Sequence, residues 1–228
     1  MPGLSENTTI REYQNFAKEI YGRSNELQFG LSDMLINMQR FAMRALKGIR
    51  KKDYDKARFN LTITTSWLMS TLGRLHIDLE DSIWKRFPSL CSYCASLPCS
   101  CRETGIKERK EVQVDESKRP VTIKDFQEMF RHIYPPEKRT IEHAGIHLAE
   151  EIGEFSEAIL VYRGEHDDDS FERIIQESAD VFSCIIGVFN SLGVDVTKEL
   201  YDMFSDGCHE CKKMPCECSF KSIVYYKS

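Results

Sequence analysis

Apolar residues recur at helical spacing along most of the chain, and no stretch alternates long enough to predict a β-strand. Residues 9–21 place apolar side chains three and four positions apart behind Thr9, a typical N-cap residue. The same pattern predicts a long helix over about 27–49, another over about 54–75, and a shorter helix capped by Asp78. The sequence therefore predicts an all-α fold.

The helical pattern of the first half of the chain recurs in the second half. Residues 122–134 match residues 9–21 at an offset of 113 residues, and the offset becomes 117 after extra residues near 166–169. Both halves end in the same cysteine spacing, C-x2-C-x4-C-x-C. We interpret the chain as a tandem duplication of a four-helix unit. The predicted domains are residues 1–101, a charged linker at 102–120, and residues 121–228.

Two predicted helices of the second half carry acidic residues beside their apolar stripes. Glu151 lies one turn from Glu154, and Glu177 lies one turn from Asp180. If the apolar stripes pack together, the four carboxylates converge, and hard cations such as Mg²⁺ or Mn²⁺ relieve their repulsion. The alternative is a solvated acidic face, as on most Glu-rich helices. We favour the metal site, because the acids border the apolar stripe instead of opposing it.

The first half lacks these acids at the matching positions. The matching residues are Asn37 and Met38 for Glu150 and Glu151, Phe41 for Glu154, Asn60 for Glu177, and Ile63 for Asp180. Three of the five replacements are apolar, as expected of core positions. We therefore expect the first half to fold in the same way, with Met38, Phe41 and Ile63 in its core, and to bind no cation there.

The acidic motifs resemble those of a known enzyme family. Glu150-Glu-Ile-Gly-Glu154 and Glu177-Ser-Ala-Asp180 are similar to the E-E-x-x-E and E-x-x-D motifs of the MazG-like all-α nucleoside triphosphate pyrophosphohydrolases. The resemblance covers roughly residues 122–205 and implies removal of pyrophosphate from a nucleoside triphosphate. The Mg²⁺ ligands that it implies are Glu151, Glu154, Glu177 and Asp180. It also implies paired helical units, here an intrachain pseudo-dimeric bundle; further association of whole chains stays open.

Other residues near the acids are candidates for catalysis. Glu150 is a candidate to orient the attacking water. His147, one turn before Glu151, can contact the triphosphate or the base, although a lone helix histidine is usually structural. Residues 166–169 include one histidine and three aspartates, but we expect Asp168 or Ser170 to cap the following helix instead of binding metal.

Several basic residues are candidates to bind the phosphates, and the sequence does not favour one over another. No glycine-rich phosphate loop of the P-loop type occurs, so metal ions and side chains must hold the phosphates. Arg163 follows the first acidic helix, and Lys198 follows the second. Arg40 or Arg44 of the first half are further candidates.

A group of four cysteines follows the fourth predicted helix of each half. The two groups are Cys91, Cys94, Cys99 and Cys101, and Cys208, Cys211, Cys216 and Cys218. Four thiolates at this spacing can surround one ion tetrahedrally, which is the geometry of structural Zn²⁺. Disulfides and a four-cysteine iron cluster are the alternatives. We expect about two Zn²⁺ per chain, in knuckles at 91–101 and 208–218, and a buried, non-ligating Cys184.

Composition narrows the functional classes further. A net charge of −5 over 228 residues argues against a nucleic-acid-binding protein. No apolar run reaches the length of a membrane span, and the first residues lack the pattern of a signal peptide, so we expect a cytoplasmic protein. The expected function is nucleoside triphosphate pyrophosphohydrolysis. The alternatives are a non-catalytic zinc-stabilised adaptor and a nucleotide sensor that binds without hydrolysis.

Overall fold

The structure, a computed structural model, describes residues 4–228, and its regular elements are helices. The helices of the first half are α1 (Ile10–Gln28), α2 (Leu31–Lys51), α3 (Tyr54–Leu75) and α4 (Leu79–Arg86). The remaining helices are α5 (Cys101–Thr104), α6 (Ile123–Ile133), α7 (Ile141–Glu165), α8 (Asp168–Leu192), α9 (Val196–Phe204) and α10 (Phe220–Val224). Residues 4–228 contain no strand, so the all-α prediction is confirmed. None of the helices in this range has by itself the length and apolar character needed to cross a membrane.

Matching capping boxes begin the first helix of each half. The Oγ1 atom of Thr9 accepts from the backbone N–H of Glu12 at 3.0 Å, and Glu12 Oε2 accepts from the N–H of Thr9 at 2.8 Å. Thr122 and Asp125 make the same two bonds at α6, at 3.1 and 2.9 Å. Each box satisfies two backbone donors that the helix itself leaves open. The threonine cap predicted for α1 is therefore confirmed.

Two helix starts differ in detail from the prediction. The helix expected from about residue 27 begins at Leu31, because α1 continues to Gln28 and Gly30 is the N-cap of α2. At the start of α8, Asp167 is the cap, and its Oδ1 accepts from the N–H of Ser170 at 2.7 Å. We expected Asp168 or Ser170 to cap this helix. Asp167 caps it instead, because it precedes the first helical residue and has the extended backbone that a cap requires.

The chain forms two compact units that do not follow its two halves. Unit 1 contains the residues up to Asp78 and Asp195–Ser228, so it holds α1 to α3 with α9 and α10. Unit 2 is Leu79–Val194 and holds α4 to α8. Each unit thus combines three long helices of one predicted domain with the fourth helix and cysteines of the other. The reason is that α9 packs on α3, whereas α4 packs on α8.

Aromatic contacts attach the fourth helix to each unit. In unit 2, Phe87 follows α4 directly, and its ring centroid lies 5.2 Å from that of Phe130 on α6. In unit 1, Phe204 of α9 lies 6.3 Å from Tyr13 and 6.3 Å from Tyr21, both on α1. Large buried rings contribute much of the apolar area that a small core can bury. Phe87, directly after α4, and Phe204, the last residue of α9, therefore attach these helices to their units.

The charged stretch 102–120 is part of unit 2. The hydroxyl of Tyr93 donates to the carbonyl of Lys107 at 2.9 Å. Arg119 forms an ion pair with Glu80 of α4 at 3.3 Å. The stretch predicted as a linker is thus held against the helix and the cysteines that precede it.

Candidate metal centres

Three carboxylates of α7 and α8 meet at one place in unit 2. A short connection returns α8 alongside α7, and the apolar stripes of the two helices are buried. Glu151, Glu177 and Asp180 each offer one carboxylate oxygen, and these three atoms all lie within 4.8 Å of one another. Oxygens at this spacing can ligate a divalent cation. We refer to these three residues as the acidic cluster.

The other two acids singled out by the sequence lie outside the acidic cluster. Glu150 and Glu154 are both exposed. The charge of Glu154 nevertheless contributes to raising the pKa of Glu151 and of Glu177, so it lies close enough to interact with both. Of the four acids predicted as metal ligands, the structure brings three together and leaves Glu154 at their edge.

Burial and mutual repulsion change the acidity of the acidic cluster. Burial, followed by the charges of Asp180 and Glu154, raises the pKa of Glu151 to about 8. Burial and the charge of Asp180 also raise the pKa of Glu177. The Oε2 atom of Glu177 is buried and has no hydrogen-bond partner among residues 4–228. An unpaired buried acceptor costs about 1–3 kcal/mol, a cost that a bound cation would offset.

Arg86, the last residue of α4, neutralises Asp180. Its Nε donates to the two carboxylate oxygens at 3.2 and 3.1 Å, and its Nη2 also donates to Oδ2. Its Nη1 donates to Gln176 Oε1 at 3.2 Å. The Arg86 and Asp180 side chains are only 11% and 12% exposed, so water screens this pair weakly. Arg86 belongs to no sequence motif and lies 94 positions before Asp180, on a helix assigned to the other repeat.

A cavity in unit 2 extends from the acidic cluster to the first group of cysteines. Its lining includes Glu151, Asp180, Cys184, His147, Arg139 and Tyr134. Burial and the charge of His143 lower the pKa of His147, which favours the neutral ring near pH 7. Burial raises the pKa of the Cys184 thiol. His147 is the one histidine proposed from the sequence, and the structure places it in the cavity.

The basic residues proposed from the sequence do not belong to the lining of this cavity. Arg163 is an exposed residue near the end of α7 and does not line the cavity. Lys198 lies in unit 1, where its Nζ pairs with Asp202 at 2.6 Å. Arg40 and Arg44 also belong to unit 1. The basic residues that do line the cavity are Arg102, Arg109, Lys138 and Arg139.

In unit 1 the positions that match Glu151, Glu154 and Asp180 carry apolar side chains, and the position that matches Glu177 carries the buried Asn60. Met38, Phe41 and Ile63 are all buried, as predicted for core residues. The ring of Tyr226 lies 6.2 Å from that of Phe41. Arg40 donates to the carbonyl of Val224 at 2.7 Å, which holds the last residues of the chain in this place. This surface is therefore a packing surface and has no ligands for a cation among these residues.

The four thiols of each cysteine group converge on one point. The paired Sγ–Sγ distances are 3.7 Å for Cys91 and Cys101, 3.9 Å for Cys94 and Cys99, 3.8 Å for Cys208 and Cys218, and 3.9 Å for Cys211 and Cys216. A tetrahedron with Zn–S bonds of about 2.3 Å has edges of about 3.8 Å. All nine cysteines lie in the described range and are free thiols, so the structure contains no disulfide bond between them. Each group therefore has the ligands and the spacing to hold a zinc ion.

Neighbouring polar groups support a thiolate at Cys94. The backbone N–H of Ser100 donates to its sulfur at 3.4 Å, and Ser96 Oγ lies 2.9 Å from it. Burial raises the pKa of the Cys94 thiol, but the hydrogen bonds from Ser96 and Ser100 outweigh burial and lower the pKa to about 5. The thiolate is the form that binds metal.

Each cysteine group is also bonded to a helix of its own unit. The N–H of Cys99 donates to the carbonyl of Ile133, at the end of α6, at 2.8 Å. The N–H of Cys216 donates to the carbonyl of Ile20, in α1, at 2.7 Å. A metal-bound knuckle would thus fasten the fourth helix of one half to the first helix of the other.

Comparison with known proteins finds no matching family model, no matching curated protein and no matching solved structure. Function is therefore inferred from the geometry of the acidic cluster and the cysteine groups.

Proposed function

We propose that the chain is a Mg²⁺-dependent nucleoside triphosphate pyrophosphohydrolase that releases pyrophosphate and the nucleoside monophosphate. The observation that carries the proposal is the convergence of the Glu151, Glu177 and Asp180 oxygens within 4.8 Å beside a cavity. Hard oxygen ligands suit Mg²⁺ or Mn²⁺. The MazG-like motifs in which these acids lie imply the reaction.

The donor set fits a divalent cation for two reasons. Glu177 has a buried oxygen without a partner in the described chain, and crowding raises the pKa of Glu151 to about 8. A cation would supply the missing partner and relieve the repulsion between the carboxylates. When bound, Mg²⁺ would offset charge on the phosphate oxygens and lower the pKa of a bound water. Glu154, at the edge of the acidic cluster, would be a further ligand.

Residues of the chain would hold and orient the substrate around this centre. Arg86 fixes the Asp180 carboxylate through two hydrogen-bonding nitrogens. His147 lines the cavity one turn before Glu151, and as a neutral ring it can donate or accept a hydrogen bond. Glu150 remains the candidate to orient the attacking water, from its exposed position next to Glu151.

We further propose that residues 1–101 and 121–228 are two copies of one MazG-like unit and that each cysteine group binds one Zn²⁺, about two per chain. The same order of long helices in both halves supports the duplication. The equivalent N–H bonds of Cys99 and Cys216 support it as well. Only the second copy carries the acids, so one catalytic site per chain is proposed.

The test of the function is a screen of ribo- and deoxyribonucleoside triphosphates, with and without Mg²⁺, in which pyrophosphate and orthophosphate are measured separately. Pyrophosphate release should require Mg²⁺, and Glu151→Gln, Glu177→Gln and Asp180→Asn should each reduce it more than about 100-fold. Glu165→Gln, an exposed carboxylate at the end of α7, is the matched control and should keep the wild-type rate.

The outcomes separate the functional classes. Retained turnover in all three cluster variants would contradict the site. Nucleotide binding without pyrophosphate release would indicate a sensor, and a chain that neither binds nor hydrolyses nucleotides would indicate a zinc-stabilised adaptor.

A further inference from the structure

Charged groups of opposite sign lie at different levels of the unit 2 cavity. On α8, Asp180, Cys184 and Gly187 follow one another at spacings of four and three, so they share one stripe of the helix. Gly187 lies roughly 10 Å along the helix axis from Asp180. On α7, His143 lies two turns before Glu151 on the corresponding stripe. The acids thus lie at one level, and the residues near Gly187 lie about two turns away from them.

The guanidinium of Arg139 rests on Gly187. A Cβ atom at position 187 would lie only 2.1 Å from Arg139 Nη2 and 3.1 Å from its Cζ. Glycine in a helix interior is less favourable than alanine, and α8 has its glycine at the place where the guanidinium needs the space. The sequence of α8 therefore accommodates this one side chain.

Within residues 4–228, the Nε atom of the Arg139 guanidinium has no hydrogen-bond partner. This nitrogen is also buried, so water does not replace the missing partner. The Cζ atom of Arg139 lies 5.9 Å from the centroid of the Tyr134 ring. Burial lowers the pKa of Arg139, yet a guanidinium stays charged. A largely buried cation with an unpaired donor is unfavourable, and an anion entering the cavity would satisfy it.

A second basic side chain, Arg102, lies near Arg139 in the cavity lining. Arg102 Nη2 donates to His143 Nε2 at 2.7 Å, so His143 accepts and the charge of Arg102 is not neutralised there. The charges of Glu151, Asp180 and Arg139 all act on the thiol of Cys184. Cys184 therefore lies between the carboxylates and the guanidinium, in one continuous cavity.

We propose that Arg139 is an anchor for a phosphate-type oxyanion bound in this cavity. This role rests on the proposed function. There, the oxyanion is a phosphate group of the triphosphate, at the end that lies farther from the acidic cluster. A planar guanidinium can donate two parallel hydrogen bonds to a phosphate. Arg102, which also lines the cavity, adds a second positive charge near Arg139.

Titration calorimetry with inorganic tripolyphosphate and pyrophosphate, on the full zinc-bound chain with and without Mg²⁺, tests this role. Arg139→Gln should weaken tripolyphosphate binding at least tenfold, and Arg139→Lys should weaken it less, because the charge remains. Gly187→Ala should weaken binding as much as Arg139→Gln does. It leaves every charge in place but puts a methyl group where the guanidinium lies.

Two matched controls accompany these variants. Gly164→Ala adds the same methyl group to a helix glycine with open space around it. Lys124→Gln removes one positive charge from an exposed residue of α6, in the same unit but outside the cavity lining. Both should bind tripolyphosphate as the wild type does.

Each outcome decides a separate claim. The anchor would be overturned if Arg139→Gln or Gly187→Ala bound tripolyphosphate with wild-type affinity, or if the wild type bound neither anion. If Arg139→Gln fails to fold, Gly187→Ala decides, because alanine favours the helix. If the affinities fall as expected and no nucleoside triphosphate is hydrolysed, the proposed function fails and the anion site stands. If hydrolysis occurs and Arg139→Gln has an unchanged KM and anion affinity, the anchor fails and the function stands.

Discussion

At Asp180, a guanidinium provides the charge compensation that the proposed function assigns to a metal ion. Arg86 and Asp180 are both nearly buried, and their charges compensate each other. The pKa values of Glu151 and Glu177 are raised, although Arg173 Nε lies 3.8 Å from Glu177 Oε1. Arg86 therefore stabilises the metal-free cluster, and under the proposed function it would also compete with a cation for Asp180.

Arg86→Gln should destabilise the metal-free chain by about 3 kcal/mol, because removing one partner leaves a buried charge uncompensated. Mn²⁺ should restore most of this loss, since the cation takes over the neutralisation. Thermal melts with and without Mn²⁺ measure both effects. Arg119→Gln is the control: it removes an ion pair with Glu80 in the same unit, so Mn²⁺ should not restore its stability. Equal stabilisation of the two variants by Mn²⁺ would contradict the competition.

The raised pKa of Glu151 makes the stability of the metal-free chain depend on pH. The folded state keeps the proton up to a pKa of about 8, whereas the ordinary value is 4.5. Between these values the folded state binds more protons than the unfolded state, so the free energy of unfolding falls as pH rises. The contribution is fully present below about pH 4.5 and lost as pH rises through about 8. Denaturant titrations from pH 5 to 8 should show a shallower decline for Glu151→Gln, and an unchanged slope for Glu165→Gln.

At the scale of elements, α4 and the first cysteine group act together. Phe87 joins the end of α4 to Phe130, and four residues later Cys91 accepts from the Tyr134 hydroxyl at 3.5 Å. The N–H of Cys99 adds a bond to Ile133. The cysteine group thus fixes the end of α6 and the helix that carries Arg86.

The chain purified without added metal should contain about two Zn²⁺. Cys94→Ser and Cys211→Ser should each lose one ion, and elemental analysis measures the loss. Hydrogen exchange should rise in α4 and α6 for the first variant and in α1 and α9 for the second, because each cysteine group is bonded within its own unit. Cys184→Ser, which changes a cysteine outside both groups, should keep both ions. Absence of zinc from the wild type would contradict the tetrahedral sites.

At the scale of the whole molecule, the compact units cross the boundary between the halves. Unit 2 needs α4 from the first half, and unit 1 needs α9 from the second. An apolar helix face is buried wherever a complementary surface is available, and the connection along the chain does not restrict the choice to the same half. Arg86 reaches Asp180 only because α4 packs on α8.

A fragment of residues 79–194 should therefore fold more cooperatively than a fragment of residues 121–228. The first fragment contains all of unit 2, including Arg86 and one complete cysteine group, whereas the second lacks α4 and carries α9 without α3. Thermal unfolding followed by circular dichroism, with zinc present, compares them. A cooperative transition in 121–228 and none in 79–194 would show that the units follow the sequence halves.

Much of the fold can be predicted from local patterns. The capping box at Thr9 and the bounds of α3 follow from residues a few positions apart, and Met38, Phe41 and Ile63 are buried as their apolar character predicts. The convergence of Glu151, Glu177 and Asp180 could be anticipated because both helices carry acids beside an apolar stripe. The contacts of Arg86, Arg139 and Gly187 could not be anticipated, since they join residues far apart in the sequence and belong to no motif.

The sequence by itself determined the helices, the repeated cysteine spacing and the acidic stripes, because these depend on hydrogen bonds and side-chain spacing within a few turns of the chain. Only the tertiary structure decided which helix supplies the counter-ion of Asp180 and which arginine faces the cavity. Arg86 and Asp180 are 94 positions apart, and helix spacing constrains no pair at that separation. Their contact depends on which apolar surfaces bury one another, and the burial of Phe87 against Phe130 brought α4, with its arginine, to the acidic cluster.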